Sequence, residues 1–197
     1  MSATKFWDEL HERRAAGTPK VNARLAEIAG PLTPGTALDL GCGAGGDALW
    51  LAARGWRVTA VDISGAAVRS LQARREAITA LRVDLAEDFP EGTFDLVSAQ
   101  YFHTPFELDR ARVLRTAAGS VNPGGRLVVV DHGSAAPWSW DQDAEFATPG
   151  EVAAELGLDP TVWSIDRAEA AERLATGPAG RTATVVDHIL ILRRAGR

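Results

Sequence analysis

One stretch of the chain gathers the residue types that can hold a small charged molecule. In Ala37-Leu38-Asp39-Leu40-Gly41-Cys42-Gly43-Ala44-Gly45-Gly46-Asp47 an acid precedes a run in which four of six residues are glycine. Glycine turns the chain through dihedrals closed to other residues, and it lets backbone approach a ligand with no Cβ in the way. Asp62 follows about 20 residues later, where a carboxylate accepts from the hydroxyls of a ribose. Asp84, in Val83-Asp84-Leu85, stands where an adenine amino group would donate to it. Two histidines come further on, His103 in Gln100-Tyr101-Phe102-His103-Thr104-Pro105 and His132 after Asp131. An imidazole titrates near ~6.5 in general and takes a proton from an acceptor at neutral pH. With Tyr101 they form the set of candidate catalytic residues.

A glycine loop followed by an acid marks a nucleoside site without naming the nucleoside. Gly41-x-Gly43-x-x-Gly46 has the spacing of the dinucleotide fingerprint, so a nicotinamide-dependent reductase is one reading. Gly41-x-Gly43-x-Gly45 has a different spacing. Asp39, two residues ahead of the first glycine, is placed to hold a cationic amino group, which S-adenosylmethionine carries and NAD lacks. A non-catalytic module that only binds S-adenosylmethionine would need the same loop. Asp131-His132 has the form of a charge relay, but no serine or cysteine nucleophile accompanies it, so hydrolysis is unsupported. The same two residues lack a third ligand at a telling spacing, so no metal is expected.

The elements that must position these residues are legible from periodicity. Residues 3–16 and 20–28 read as helices, the second stopped by Gly30-Pro31. Strand and helix then alternate: strand 36–40, helix 47–54, strand 57–61, helix 65–75, strand 80–83, strand 94–99, helix 107–118, a turn at Asn122-Pro123-Gly124-Gly125, and strand 126–130. Arg126–Val130 is nearly all apolar, as in a strand buried on both faces. Thr148-Pro149-Gly150-Glu151 has the form of a capping box and opens a helix to about Leu156. Residues 162–165 and 184–192 read as strands that finish the sheet as an antiparallel pair. Ala168–Leu174 between them fits a helix as well. The alternation predicts an α/β fold with a mostly parallel sheet and helices on both faces.

Composition agrees. The 197 residues, 46% hydrophobic and 24% charged, fit one domain with an ordinary core. We expect residues 1–33 as a helical cap segment and residues 34–197 as the core of a single domain. A net charge of -5 gives no basic footprint for nucleic acid. The single cysteine, Cys42, allows no internal disulfide. The first residues lack the apolar core of a signal peptide, and no apolar run is long enough to cross a bilayer. The expectation is a cytoplasmic protein, monomeric or homodimeric, acting on a small molecule and on neither nucleic acid nor membrane.

Five segments together resemble class I S-adenosylmethionine-dependent methyltransferases: Leu38-Asp39-Leu40-Gly41-Cys42-Gly43-Ala44-Gly45, Val61-Asp62-Ile63-Ser64, Val83-Asp84-Leu85, Phe94-Asp95-Leu96-Val97 and Asn122-Pro123-Gly124-Gly125-Arg126-Leu127. Within that family, Phe6-Trp7-Asp8-Glu9, Asp47-Ala48-Leu49-Trp50-Leu51-Ala52 and the short chain are similar to the small tellurite-resistance and thiopurine-type branch. The resemblance implies a Rossmann-like seven-stranded sheet of order 3-2-1-4-5-7-6 with strand 7 antiparallel. It implies S-adenosylmethionine as cofactor and S-adenosylhomocysteine (SAH) as its spent form. By position, Asp39 would act near the methionine amino group, and Gly41, Gly43 and Gly45 would line methionine and ribose. Asp62 would bind the ribose hydroxyls, Ile63 would pack on adenine, and Asp84 would accept from the adenine amino group beside Leu85. Cys42, Asp47 and Gln100 complete the expected cofactor set.

The branch implies a soft acceptor such as a thiol or a chalcogen oxyanion. The Asn/Asp-Pro-Pro-aromatic motif of nitrogen-methylating relatives is absent after the fourth strand, which leaves a sulfur, oxygen or chalcogen nucleophile attacked in line. Trp138 and Trp140, in a long loop after the fifth strand, read as a pocket wall or lid, with Trp7 near the same mouth.

Overall fold

The computed structural model describes residues 1–14, 17–74, 77–139 and 142–196. Its frame is a sheet built from β1 (Thr36–Leu40), β2 (Arg57–Asp62), β3 (Ile78–Arg82), β4 (Phe94–Gln100), β5 (Val121–His132), β6 (Trp163–Thr176) and β7 (Thr182–Arg194). These strands lie side by side in the order β3-β2-β1-β4-β5-β7-β6. The first five are parallel, and β7 runs antiparallel to both β5 and β6. Order and direction are those that the resemblance implies.

The central strands are apolar because both their faces are covered. Ala37, Leu38, Leu40, Leu96, Val97 and Ala99 are each at most 1% exposed. On one face they meet α2 (Ala23–Ala29), α3 (Gly46–Ala52) and α4 (Gly65–Gln72), through Leu25, Leu51, Val68 and Leu71. On the other they meet α5 (Arg110–Gly119) and α6 (Pro149–Leu156), through Val113, Leu114, Val152 and Leu156. An N-terminal helix, α1 (Ala3–Arg14), packs on α4. There the Asp8 carboxylate accepts from Ser64 Oγ at 2.7 Å and from the Ala66 amide at 3.0 Å.

Local signals in the sequence act as read. Thr148 and Glu151 form the reciprocal capping box of α6. Asp109 caps α5 by accepting from the Arg112 amide, so this helix starts at Arg110, three residues later than periodicity suggests. Asn122–Gly125 falls inside β5 as an excursion: Phe94 pairs with Val121, and the next paired residue, Leu96, already faces Arg126. The ends expected for α1 and α4, at residues 16 and 75, lie outside the described residues.

The larger difference is in β6. Ala168–Leu174 has helix-forming composition, yet it is extended and pairs continuously with β7, from Ala168 opposite Leu190 to Leu174 opposite Thr184. Propensity is a weak prior, and the ladder offered by β7 overrides it. Among the described residues no helix is long and apolar enough to cross a membrane.

One buried ion cluster ties these elements together. Asp187 on β7 is wholly buried, and it accepts from Tyr101 Oη at 2.9 Å, Arg24 Nε at 3.0 Å and Arg173 Nε at 2.8 Å. Arg24 also donates to the carbonyls of Ala171 and Glu172. The cluster thus joins α2, β6, β7 and the loop after β4. Asp187→Ala would take from the Arg24 and Arg173 guanidiniums the buried carboxylate they share, so it should cost about 3–5 kcal/mol. Urea unfolding measures this, and a loss below about 1 kcal/mol, the range of a surface pair, would show that the cluster does not hold the elements together.

Candidate functional site

The glycine loop leaves the tip of β1 and turns at once. Gly41 has φ 66°, and a Cβ there would come within 2.9 Å of Phe102 Cδ2 in the loop after β4. The close approach of these two loops therefore depends on the missing side chain. The Cys42 amide donates to the Val61 carbonyl at 2.9 Å, which holds the loop against the tip of β2. Asp62, at that tip, accepts from the Gly43 amide at 2.9 Å and the Ser64 amide at 2.8 Å. One carboxylate thus fixes both the glycine loop and the turn into α4.

Two cavities meet at Gly41. One, of about 230 Å³, is lined by Gly41, Gly43, Asp62, Ile63, Asp84, Leu85, Tyr101, Phe102 and His103, with Trp7 and His11 of α1 across from them. The other, of about 330 Å³, is lined by Asn22, Asp39, Gly41, Cys42, Asp47 and Gln100. The first has the hydrophobic walls and acidic edge that a nucleoside needs. The second is acidic.

The acids of the second cavity are not equally satisfied. Asp47 accepts from the Asn22 amide and from Asn22 Nδ2, both at 2.7 Å, yet burial outweighs these bonds and raises its pKa. Asp39 is 2% exposed, and its Oδ2 has no hydrogen-bond partner. Gln100 Oε1 is buried and unpartnered in the same cavity. Burial, together with the charges of Asp47 and Asp62, pushes Asp39 well above the usual carboxylate range, and the Ala48 amide offsets only part of this. Burial and the charges of Asp39 and Asp62 likewise push the Cys42 thiol up, so it is a neutral packed group and not a nucleophile.

Past the tips of β4 and β5 the polar groups are paired. His103 Nε2 lies 3.0 Å from Asp131 Oδ1, and Arg110 Nη2 lies 2.7 Å from both oxygens of that carboxylate. Burial alone would raise Asp131, but the bond from His103 and the Arg110 charge hold it below its usual value. Tyr101 takes a left-handed conformation, φ 52°, and its hydroxyl is pushed up to about 12 by burial and by the Asp187 charge. The His132 ring lies 4.6 Å from the Tyr101 ring, and desolvation, together with the charge that His103 carries when protonated, lowers its pKa. A third cavity, of about 630 Å³, lies beyond, lined by His103, His132, Trp138, Phe146 and Arg173 among others.

The structure therefore brings together nearly every residue expected from the sequence. Asp39, Gly41, Cys42, Gly43, Asp47, Asp62, Ile63, Asp84, Leu85 and Gln100 line the two cavities at the glycine loop. Gly45 lines neither; at φ 82° it precedes α3, and a Cβ there would meet Leu71 Cδ1 at 2.6 Å. Tyr101 and His103 line the first cavity and His132 the third. Asp131 pairs with His103 instead of its neighbour His132, because successive residues of a strand point to opposite faces. Trp7 and Trp138 line different cavities, and Trp140 lies outside the described residues. Phe102, Arg110, Arg173 and Asp187 escaped the sequence reading, since their partners are distant in the chain and no local motif marks them. Among the described residues no three histidine, cysteine or acidic side chains are grouped to hold a metal.

Residues 38–129 match the family model described as "Methyltransferase domain". The chain is 34% identical over 142 residues to the ribosomal RNA small subunit methyltransferase C of Chromohalobacter salexigens, covering 68% of this chain and 42% of that protein. The chain thus spans less than half the length of that curated relative. Its fold is similar to that of TehB from Haemophilus influenzae, with TM-score 0.67, 19% identity, and 96% of this chain and 67% of that one covered. It is equally similar to the magnesium protoporphyrin IX methyltransferase of Synechocystis PCC 6803, solved with bound SAH: TM-score 0.67, 19% identity, 98% and 97% covered.

The strained acid gives a testable sign. Asp39 titrates near ~3.9 in an unfolded chain and higher in the folded one. The folded state then binds more protons between those two values, so stability falls as pH rises through that window and stays reduced above it. Asp39→Asn removes the charge and should raise the melting temperature of the ligand-free protein at neutral pH. About 1 kcal/mol gained corresponds to ~2–4 °C in a chain of this size. The gain should shrink toward pH 4, and a melting temperature that is lower for the variant at pH 7.5 would contradict it.

Proposed function

We propose that the chain, whose residues 38–129 match the methyltransferase-domain model, is a class I S-adenosylmethionine-dependent methyltransferase that binds S-adenosylmethionine and methylates a small molecule at a sulfur, oxygen or chalcogen nucleophile. One observation carries this reading: Asp39 Oδ2 and Gln100 Oε1 are buried and unpartnered beside the glycine loop. A buried acceptor without a donor costs about 1–3 kcal/mol, and a buried charge costs more. A ligand that brings an ammonium group to this cavity supplies both the donors and the opposite charge. S-adenosylmethionine has such a group and NAD does not.

The other residues fit the same ligand. Gly41 and Gly43 offer backbone with no side chain to obstruct it. Each Asp62 oxygen accepts one backbone amide, and a carboxylate oxygen has a second lone pair for a ribose hydroxyl. Ile63 and Leu85 give apolar surface for adenine, and Asp84 an acceptor at its edge. In this reading residues 1–33 serve as a helical cap, with Trp7 and His11 closing the nucleoside side. When bound, the cofactor supplies an electrophilic methyl group on a cationic sulfur.

The chain's own work is then to align an acceptor, exclude water and take a proton. Alignment and desolvation alone supply several kcal/mol. His103 is the proton acceptor in this proposal. With Asp131 holding Nε2, that nitrogen carries the hydrogen and Nδ1 keeps the lone pair. Tyr101 donates its hydroxyl to Asp187 and, with a pKa near 12, serves as a wall and not as a base. His132, lowered and neutral at physiological pH, is a second polar edge of the acceptor side.

Calorimetry with SAH tests the proposal. The ammonium favours ionised Asp39, so below the raised pKa of that group binding must expel a proton. Affinity should fall as pH is lowered through the raised pKa of Asp39, with proton release visible there as a dependence of the heat on buffer. Asp62→Ala should weaken SAH by about 1–3 kcal/mol. Tight NAD binding with no response to SAH would end this reading.

A further inference from the structure

The cavity of about 630 Å³ beyond the β4 and β5 tips and the nucleoside-side cavity share a single lining residue among those described, His103. We propose that this larger cavity is the acceptor site and that it takes a planar aromatic ring bearing a phenolic hydroxyl, whose proton passes to His103 Nδ1. The inference rests on the reading of the neighbouring site as one for S-adenosylmethionine, and it narrows the acceptor to one class.

The walls select a flat ring. Trp138 sits against the turn between β6 and β7, where a Cβ on Gly177 would fall 2.3 Å from Trp138 Cδ2. The indole is therefore seated on bare backbone that only glycine provides. Phe146 meets the His132 ring edge-on at 6.0 Å, and His132 is backed by Tyr101. The His103 and His132 rings are within 22° of parallel, their centres 6.5 Å apart. This set of mutually packed rings presents a flat ligand with aromatic faces and edges, the surfaces that aromatic pairs use. Between the aromatic residues the lining mixes small apolar side chains, Ala135, Ala136, Ala175 and Val185, with polar ones, Ser134, Glu145, Arg173 and Thr176 among them. A four-atom oxyanion or a small thiol would leave most of this volume unfilled.

The polar end selects the hydroxyl. A base held in one tautomer by Asp131, itself fixed by Arg110, is useful to an acceptor that must lose a proton and can lose it to imidazole. A phenol titrates near ~10 and imidazole near ~6.5, a gap that transfer can cross, whereas a thiol near ~8.5 ionises with little help. An aliphatic alcohol, close to the ~16 of water, lies out of reach. In the step proposed, the phenolic O–H bond breaks, the proton joins Nδ1, and the electron pair stays on oxygen as the nucleophile. The imidazolium so formed keeps its Nε2–H on Asp131, whose negative charge stabilises it.

The test uses the full chain saturated with SAH and nitrogen-15 NMR of its four histidines, with 2-naphthol as probe and naphthalene and 2-naphthalenethiol as comparisons. Before probe is added, the His103 shifts should report hydrogen on Nε2. 2-Naphthol should bind without displacing SAH, shift His103 and His132 but not His11 or His188, and bind about tenfold tighter than naphthalene, the difference expected of one good hydrogen bond. Trp138→Ala should weaken 2-naphthol by a similar factor and leave SAH affinity unchanged. Equal binding of naphthol and naphthalene, a shift at His11 with loss of SAH, or the thiol alone moving the His103 and His132 signals would each overturn the proposal. If SAH itself fails to bind, the underlying reading of the site falls; if SAH binds and naphthol does not, only this inference falls.

Discussion

Negative charge is buried at the tips of the neighbouring strands β1 and β2, and much of the site is arranged around it. Asp39 is the penultimate residue of β1, Asp62 ends β2, and Asp47 lies in the first turn of α3; all three are at most 7% exposed. They surround one glycine loop, and the protein answers them with backbone and amide dipoles in place of cations. Asp62 has the amides of Gly43 and Ser64, Asp47 has both donors of Asn22, and Asp39 is left with an unpartnered oxygen. Stability alone would favour a neutral residue at position 39. A site that keeps its charge unpaired holds electrostatic energy that a cationic ligand releases, which is the stability cost expected where a pocket is built for binding.

The carboxylates on the far side of the site are treated in the opposite way. Asp131 has Arg110 and His103, and Asp187 has Arg24, Arg173 and the Tyr101 hydroxyl. Both pairs of cations arrive from other elements, so these carboxylates act as rivets. They also hold backbone strain. Tyr101 is one of two non-glycine residues with positive φ among those described, a conformation that costs roughly 1–3 kcal/mol. Its hydroxyl is bound to Asp187, and its amide donates to the Val130 carbonyl at 2.7 Å. That turn is what carries the chain from the end of β4 back over β5, where His103 meets Asp131.

This contrast explains which parts of the site could be read from the sequence. Asp39, Gly41, Gly43 and Asp62 are set by local grammar: a strand, a loop that needs glycine, and a second strand whose end must lie beside the first. Strand order followed from the family resemblance, and the capping box of α6 from four adjacent residues. The acceptor side has no such grammar. Asp187 and Arg24 are 163 positions apart, and Asp131 and Arg110 are 21 apart. Neighbourhood in the chain even suggested the wrong pair, Asp131 with His132, because alternation along a strand separates adjacent side chains. Ala168–Leu174 was ambiguous for a related reason. Its own residues favour a helix, and only the ladder along β7, which local sequence does not reveal, makes it extended.

That segment also borders the large cavity, to which it contributes Arg173. β1 through β5 and the glycine loop form the part that the family model matches, up to residue 129. The large cavity draws its other walls from β6 and β7 and from the loop ahead of α6: Arg173, Ala175 and Val185 on the strands, Trp138 and Phe146 on the loop. Gly177, at the end of β6, seats Trp138. The parallel half of the sheet thus supplies a charged cradle whose parts must satisfy one another, so little in it can change independently. The antiparallel half is joined to the rest of the fold through Asp187 on β7, which binds Arg24 of α2 and Tyr101 after β4. If the large cavity is the acceptor site as proposed, substitutions in β6, β7 and the Trp138 loop would reshape it while leaving the acids at the glycine loop in place.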